Sequence, residues 1–372
     1  MVLKGEAPGH PTYRVIDQFA TGPGREVYLA YHEVFRGPCI QKTVSLAGLP
    51  GSMLLSEPQL LERLSHGHIV DIREAQFDPS DPTLVTFVMP FYEGGSALKH
   101  LLAGGRFSVG QSLTLCDDLL DALAYLHTEV GFVHRDVKPD NLLLDAPQRT
   151  GYLSDFGSAT RLDSNGHAPV AGFTLPYLDP ASVPNGTTTV QSDVYSAGLT
   201  LFEMLSGSLL PRFDPAKATL RLPQGKRAYP DSVLVHAVHV PGPVRRVVNK
   251  AIQTDPTYRY PSAADFASAL ARAGRRVIDW RHAAGAGLDG EWLGTWPPSK
   301  PPARRRTYRV QSSLVARGVN AGARRLEAAY ESGGGWRRFG GLVQDVAARD
   351  HAAVSKFFDT VDEAVAQNRA AR

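Results

Sequence analysis

Two runs of strand length stand out early in the chain, Gly37 to Leu46 and Thr83 to Tyr92, both rich in β-branched and other apolar residues. Between them, Leu60, Leu61 and Leu64 fall three, four and seven places after Glu57, the spacing of one helix face. Pro58, directly after Glu57, suits only a first helical turn and predicts a late start for that helix. Apolar helical stretches follow at Asp193 to Leu205 and around Ala263 to Arg272. Strand pattern then returns over Thr307 to Val315. Arg325 to Glu331 and Trp336 to Phe339 flank Gly333-Gly334-Gly335 as a hairpin. From Leu342 to Gln367, residues such as Val346, Val354, Phe357, Phe358, Val361 and Val365 repeat at helical period.

Composition narrows the class. With 43% hydrophobic and 21% charged residues, the 372-residue chain is an ordinary globular one with a large core. No run of eighteen apolar residues predicts a membrane span, and the polar N-terminus lacks an apolar leader, so a cytoplasmic protein is expected. Cys39 and Cys116 are too few for a disulfide framework or metal cluster and read as buried thiols. Charge is uneven. From residue 272 on there are 18 basic against 10 acidic residues, and before it 22 against 27. Residues 274–306, rich in Gly, Ala, Pro, Trp and Arg, read as a linker, and 307–372 as a small basic α+β module. Its charge, with Trp and Tyr nearby, allows a protein or nucleic-acid partner. An arginine-rich surface on a docking module is the simpler reading, since no nucleic-acid motif accompanies it.

The chemistry is concentrated in His134-Arg135-Asp136-Val137-Lys138-Pro139-Asp140-Asn141, followed shortly by Asp155-Phe156-Gly157. Either motif alone is weak, a charged surface or a turn. The eight consecutive positions with the tripeptide at its interval are specific. They resemble the catalytic and metal loops of eukaryotic-like (Hanks-type) serine/threonine protein kinases, and the alanine- and arginine-rich composition suggests a GC-rich bacterial source. The resemblance covers about residues 10 to 273. It implies a bilobal α+β protein-kinase fold, with an N-lobe at 10–92 and a helical C-lobe at 96–273. It also implies the roles: Asp136 takes the proton of the attacking hydroxyl, Lys138 steadies the moving phosphoryl group, and Asn141 and Asp155 hold Mg²⁺.

The rest of the resemblance is read residue by residue. Lys42 is expected to bind the α- and β-phosphates of ATP and to pair with Glu57. In Ala20-Thr21-Gly22-Pro23-Gly24-Arg25-Glu26-Val27, aligning Val27 over the adenine leaves only Gly22 on a family glycine position. Ala20 and Arg25 take the other two, and Gly24 falls at the loop tip, so weaker nucleotide affinity is expected. Met89-Pro90-Phe91-Tyr92-Glu93-Gly94-Gly95-Ser96 resembles the hinge, with Pro90 at the carbonyl position, Tyr92 at the N–H donor position and Ser96 near the ribose. Ile40 with Val27 would roof the base and Leu143 floor it. Leu61, Ile72, His134 and Phe156 match the stacked apolar spine. In the activation segment, Asp155 to Pro180, Thr174 is expected to bond Asp136 and Lys138, and Ser164 is the natural regulatory phosphosite facing Arg135. The family's segment-ending glutamate is Ala181 here, so Arg259 needs another partner such as Asp179. Asp193 resembles the acid that ties down the catalytic loop. Together these predict an ATP- and Mg²⁺-dependent kinase acting on Ser/Thr hydroxyls of proteins, itself included. A pseudokinase or scaffold is the alternative, because the glycine loop and Ala181 depart from type.

Overall fold

The structure is a computed structural model, and it describes residues 12–22, 25–46, 56–210, 214–275, 277–296 and 306–370. Three bodies follow one another along the chain. The first is an antiparallel sheet of β1 (Tyr13–Gly22), β2 (Arg25–His32), β3 (Gly37–Ser45), β4 (Glu74–Phe77) and β5 (Leu84–Pro90), in the order β1-β2-β3-β5-β4. Between β3 and β4 lies the helix α1 (Ser56–Arg63). It begins before Pro58, not after it as the sequence predicts. Proline in the first turn loses an N–H that has no helical partner there, so the helix need not wait for it.

The second body is helical. After α2 (Ala97–Leu102), the long α3 (Val109–Tyr125) opens with a capping box in which Ser108 and Gln111 answer each other's backbone. Short strand pairs carry the loops: β6 (Phe132–Val133), β7 (Leu142–Leu144), β8 (Gly151–Leu153), β9 (Thr160–Arg161) and β10 (Ala168–Pro169). Then come α4 (Ser182–Asn185), β11 (Thr187–Thr188) and α5 (Val190–Ser206). Almost all of α5 is buried, as an apolar-all-round helix must be. The helices α6 (Pro215–Arg221), α7 (Gly242–Ala251) and α8 (Ala263–Gly274) complete the body.

The third body corrects the expected domain map. Residues assigned to a linker form β12 (Asp279–Ala286) and β13 (Asp289–Trp296), and these pair with β14 (Arg306–Leu314), β15 (Arg324–Ser332) and β16 (Gly335–Val346) in a five-stranded meander. The glycines that suggested a linker make room for tryptophans. A Cβ on Gly294 would come within 2.5 Å of the Trp280 ring, and one on Gly290 within 3.1 Å of Trp292. The last helix is also shorter than predicted: α9 runs His351–Ala370, and residues 342–346 belong to β16. A bulge between Glu327 and Ala329 in the β15–β16 pairing disrupts the two-residue alternation that marks a strand.

This body shares its core with the second. Trp280 and Trp292 each meet Phe358 edge-to-face at 5.3 Å, and His239 reaches both Trp292 and Phe358. Polar ties reinforce the seam. Asp279 accepts from the Gly110 N–H at the start of α3 (2.6 Å), and Asp359 of α9 accepts from the Gly242 N–H and pairs with Arg245. Both cysteines are buried thiols, and among the described residues no helix is long and apolar enough to cross a membrane.

Candidate active site

A cleft of about 660 Å³ opens between the first two bodies. Val27, Ile40, Lys42, Pro90, Tyr92, Ser96, Asn141, Leu143 and Asp155 all line it. Strand register accounts for the N-lobe members: Val27 lies opposite Lys42, and Ile40 opposite Met89. Pro90 ends β5, and the chain turns at Glu93-Gly94 so that the Gly94 N–H reaches Leu144 O at 3.1 Å. Ser96 caps α2, accepting from Lys99 N and donating to Asp140 Oδ1 at 3.1 Å. Phe19 and Val70 also line the cleft and were not read from the sequence as part of it. For Phe19 the alternation that would have revealed it is interrupted by an irregularity between Gln18 and Ala20.

Of the glycine-loop residues, Gly22 ends β1 and pairs with Arg25 across a two-residue connection, whereas Gly24 lies outside the described residues. The side chains of Glu57 and Leu61 also lie outside them, and with these the expected Lys42–Glu57 pair and one member of the spine. Lys42 itself is buried and bonds Asp155 Oδ1 at 3.0 Å, 113 residues away in sequence.

Across from Lys42, the catalytic loop is held from beneath by one carboxylate. Asp193, fully buried on α5, accepts from the backbone N–H of His134 (2.8 Å) and of Arg135 (2.9 Å) and bonds His127 Nε2 (2.8 Å). Burial works against its charge, but these hydrogen bonds outweigh it and hold the carboxyl below the usual carboxylate range. The His134 ring rests edge-on against Phe156 at 5.0 Å, and burial lowers its pKa so that it packs as a neutral ring.

Asp136 sits in a closed set of hydrogen bonds. Its Oδ1 accepts from Thr174 (2.6 Å), and its Oδ2 from Lys138 Nζ (2.5 Å) and Asn141 Nδ2 (3.1 Å). Lys138 also donates to Thr174 Oγ1 at 2.9 Å. An ionised carboxylate offers about four lone-pair sites, so three donors leave one position on Oδ1 for an incoming hydroxyl. Asn141 spends its amide nitrogen on Asp136 O (2.8 Å), which turns its carbonyl oxygen the other way. That oxygen and the Asp155 carboxylate are hard donors on one cleft wall, the type that suits Mg²⁺.

The absent family glutamate is answered nearby. Asp179 pairs with the buried Arg259 at 2.5 Å, while Gln253, Gln191 and Thr254 carbonyls take three more of the guanidinium donors. Arg135 reaches the activation segment, its Nε and Nη1 donating to the carbonyls of Ser158 and Pro169.

A two-lobed fold with a nucleotide-sized cleft, a hydrogen-bonded aspartate on the loop below it and a buried lysine–aspartate pair is the arrangement of the protein-kinase fold. Residues 13–266 match the family model described as "Protein kinase domain", and the chain belongs to that family. Among curated proteins it is similar to the serine/threonine-protein kinase PrkC of Bacillus subtilis, 30% identical over 56% of this chain and 32% of that one. A probable serine/threonine-protein kinase of Streptomyces coelicolor, SCO3848, is 32% identical over 56% of this chain and 31% of its own length. PkaA of the same organism is 33% identical over 58% and 38%. The chain thus spans about a third of the length of these relatives.

Proposed function

We propose that this chain is a serine/threonine protein kinase, transferring the γ-phosphoryl group of ATP to Ser or Thr hydroxyls of proteins and of itself. The observation that carries the reading is the Asp136 carboxylate, oriented by Thr174, Lys138 and Asn141, the last of which lines the same cleft as the Lys42–Asp155 pair. Asp136 orients the acceptor hydroxyl and receives its proton at Oδ1. Lys138, already beside that carboxylate, supplies positive charge where the phosphoryl group passes. Lys42 fixes the nucleotide's phosphates. Val27, Ile40 and Leu143 exclude water around the base, and Pro90 and Tyr92 set its edge. Mg²⁺, when bound through Asn141 and Asp155, would neutralise charge on the phosphates.

The test is phosphate transfer from radiolabelled ATP, with Mg²⁺, to a set of Ser/Thr peptides and to the protein itself. The Asp136→Ala form is expected to lose at least about a thousandfold in turnover while still binding nucleotide. Equal incorporation by both proteins would sink the proposal. So would a folded wild type that consumes no ATP on any acceptor.

A further inference from the structure

We infer that a cavity between α7 and α9 is a binding site for a small organic monocation, a primary ammonium with an apolar body, held by Asp362. The cavity measures about 460 Å³ and shares no lining residue with the nucleotide cleft. Helical spacing builds its walls: Arg245, Arg246 and Asn249 share one face of α7, and Asp359, Asp362, Glu363 and Ala366 one face of α9. From the sequence, three acids at that spacing read as a solvated face. The structure buries the middle one, leaving Asp362 only 6% exposed.

The Asp362 carboxyl is half satisfied. Its Oδ1 accepts from the Ile278 N–H and from Trp280 Nε1, whereas the buried Oδ2 has no hydrogen-bond partner among the described residues. Neither Ile278 nor Trp280 lines the cavity, so the oxygen they leave is the one on its side. A buried oxygen without a donor is costly, and more so when ionised.

The surrounding charges say which donor is lacking. Arg245 of α7 pairs with Asp359 and also donates to Val240 O and Ser355 Oγ, and Asp359 takes the Gly242 N–H as well. Arg246 and Glu363 are exposed and of opposite sign. From β12, Asp362 meets the Trp280 indole, while Asp279 is turned to the Gly110 N–H of α3. With Asp362 ionised, the lining has three acids against two bases, one positive charge short. Burial and then Asp359 therefore keep the proton on Asp362, raising its pKa to about 8. An ammonium against Oδ2 supplies both a donor and the missing charge, and the carboxyl proton leaves to solvent. Pro243, Val277 and Ala366 give the ligand's body an apolar wall.

The experiment titrates the full chain with benzylammonium chloride by calorimetry, at fixed ionic strength from about pH 6 to about pH 8, in two buffers of different ionisation enthalpy. Benzyl alcohol and benzoate are the uncharged and anionic counterparts, and the Trp280 indole N–H resonance reports on Asp362. The ammonium's Kd is expected to fall about tenfold per pH unit across that range, with close to one proton passed to the buffer at its acid end. The Trp280 resonance is expected to move on binding. Asp362→Asn, which cannot ionise, is expected to bind at least about tenfold more weakly at the alkaline end and without pH dependence. Ala366→Leu narrows the cavity but keeps the carboxyl; it is expected to weaken binding while Trp280 still titrates as in wild type. Comparable affinity for benzyl alcohol or benzoate would overturn the inference. So would a Kd that ignores pH, or binding that Asp362→Asn leaves unchanged. Folded wild type that takes up no ammonium, Oδ2 merely bonding a water, would overturn it equally.

Discussion

Arg259 is among the most deeply buried charges of the C-lobe, and Asp179 is the acid that answers it. Asp179 also accepts from Ser192 Oγ at 2.8 Å and from the Ala181 N–H, so one carboxylate joins the segment's end to α5 and to Arg259. Removing it strands a guanidinium away from water. Asp179→Ala is expected to cost about 3–5 kcal/mol in denaturant unfolding, the usual penalty for breaking a buried ion pair from one side. A loss under about 1 kcal/mol would mean that the carbonyls of Gln253, Gln191 and Thr254 suffice for the arginine. Side chains were the legible part at this scale. Asp136, Lys138, Asn141, Lys42 and Asp155 are written directly in the sequence, because the proton transfer and metal binding proposed for them admit few residue types. The carbonyls that engage Arg135 have no such letter, and its engagement could only be seen in three dimensions.

Elements were legible where packing follows a simple period, and obscure where glycine serves packing instead of flexibility. The buried α5 and the strands around Lys42 announce themselves by their apolar residues. The strands β12 and β13 do not, since Gly290 and Gly294 beside tryptophans look like punctuation. Gly94 at the hinge illustrates the same rule at the cleft. A Cβ there would fall 2.2 Å from Asp145 O and 2.7 Å from Leu144 O, both backbone atoms that cannot step aside. Gly94→Ala must therefore push the hinge away from β7 and disturb the line from Pro90 to Ser96 that frames the cleft. Overpacking by a methyl group costs about 1–3 kcal/mol. The expected result is an ATP KM raised roughly tenfold, with kcat lowered less, in steady-state kinetics. An unchanged KM would show that the hinge yields at no cost to the nucleotide.

At the scale of the whole molecule, the seam between C-lobe and C-terminal sheet contains a titrating pin. Asp362 of α9 accepts from Trp280 Nε1 at 3.1 Å and from the Ile278 N–H at 3.3 Å, while its Oδ2 has no hydrogen-bond partner among the described residues. Burial, with Asp359 nearby, pushes its pKa up to about 8. An aspartate in the unfolded chain loses its proton near about pH 4, so between there and about 8 only the folded protein keeps it. Stability from this group is therefore greatest at low pH, falls as pH rises through that window, and levels off above it. Asp362→Asn keeps an acceptor for Trp280 and cannot ionise. Relative to wild type it is expected to gain stability steadily from about pH 5 to about pH 8 in parallel denaturant titrations. A constant difference across the window would dispose of the pin.

The same seam has a consequence for how the chain comes into being. Neighbouring strands of the meander are neighbours in sequence, so the sheet can form from short-range pairings. The surface it covers is older: α3 is touched by Asp279 only after some 169 further residues have been made, and His239 meets Phe358 later still. While the ribosome is still adding those residues, a nascent C-lobe presents bare apolar ground beside α3 and α7. It is then a natural client for a chaperone, until the final helix arrives and closes it.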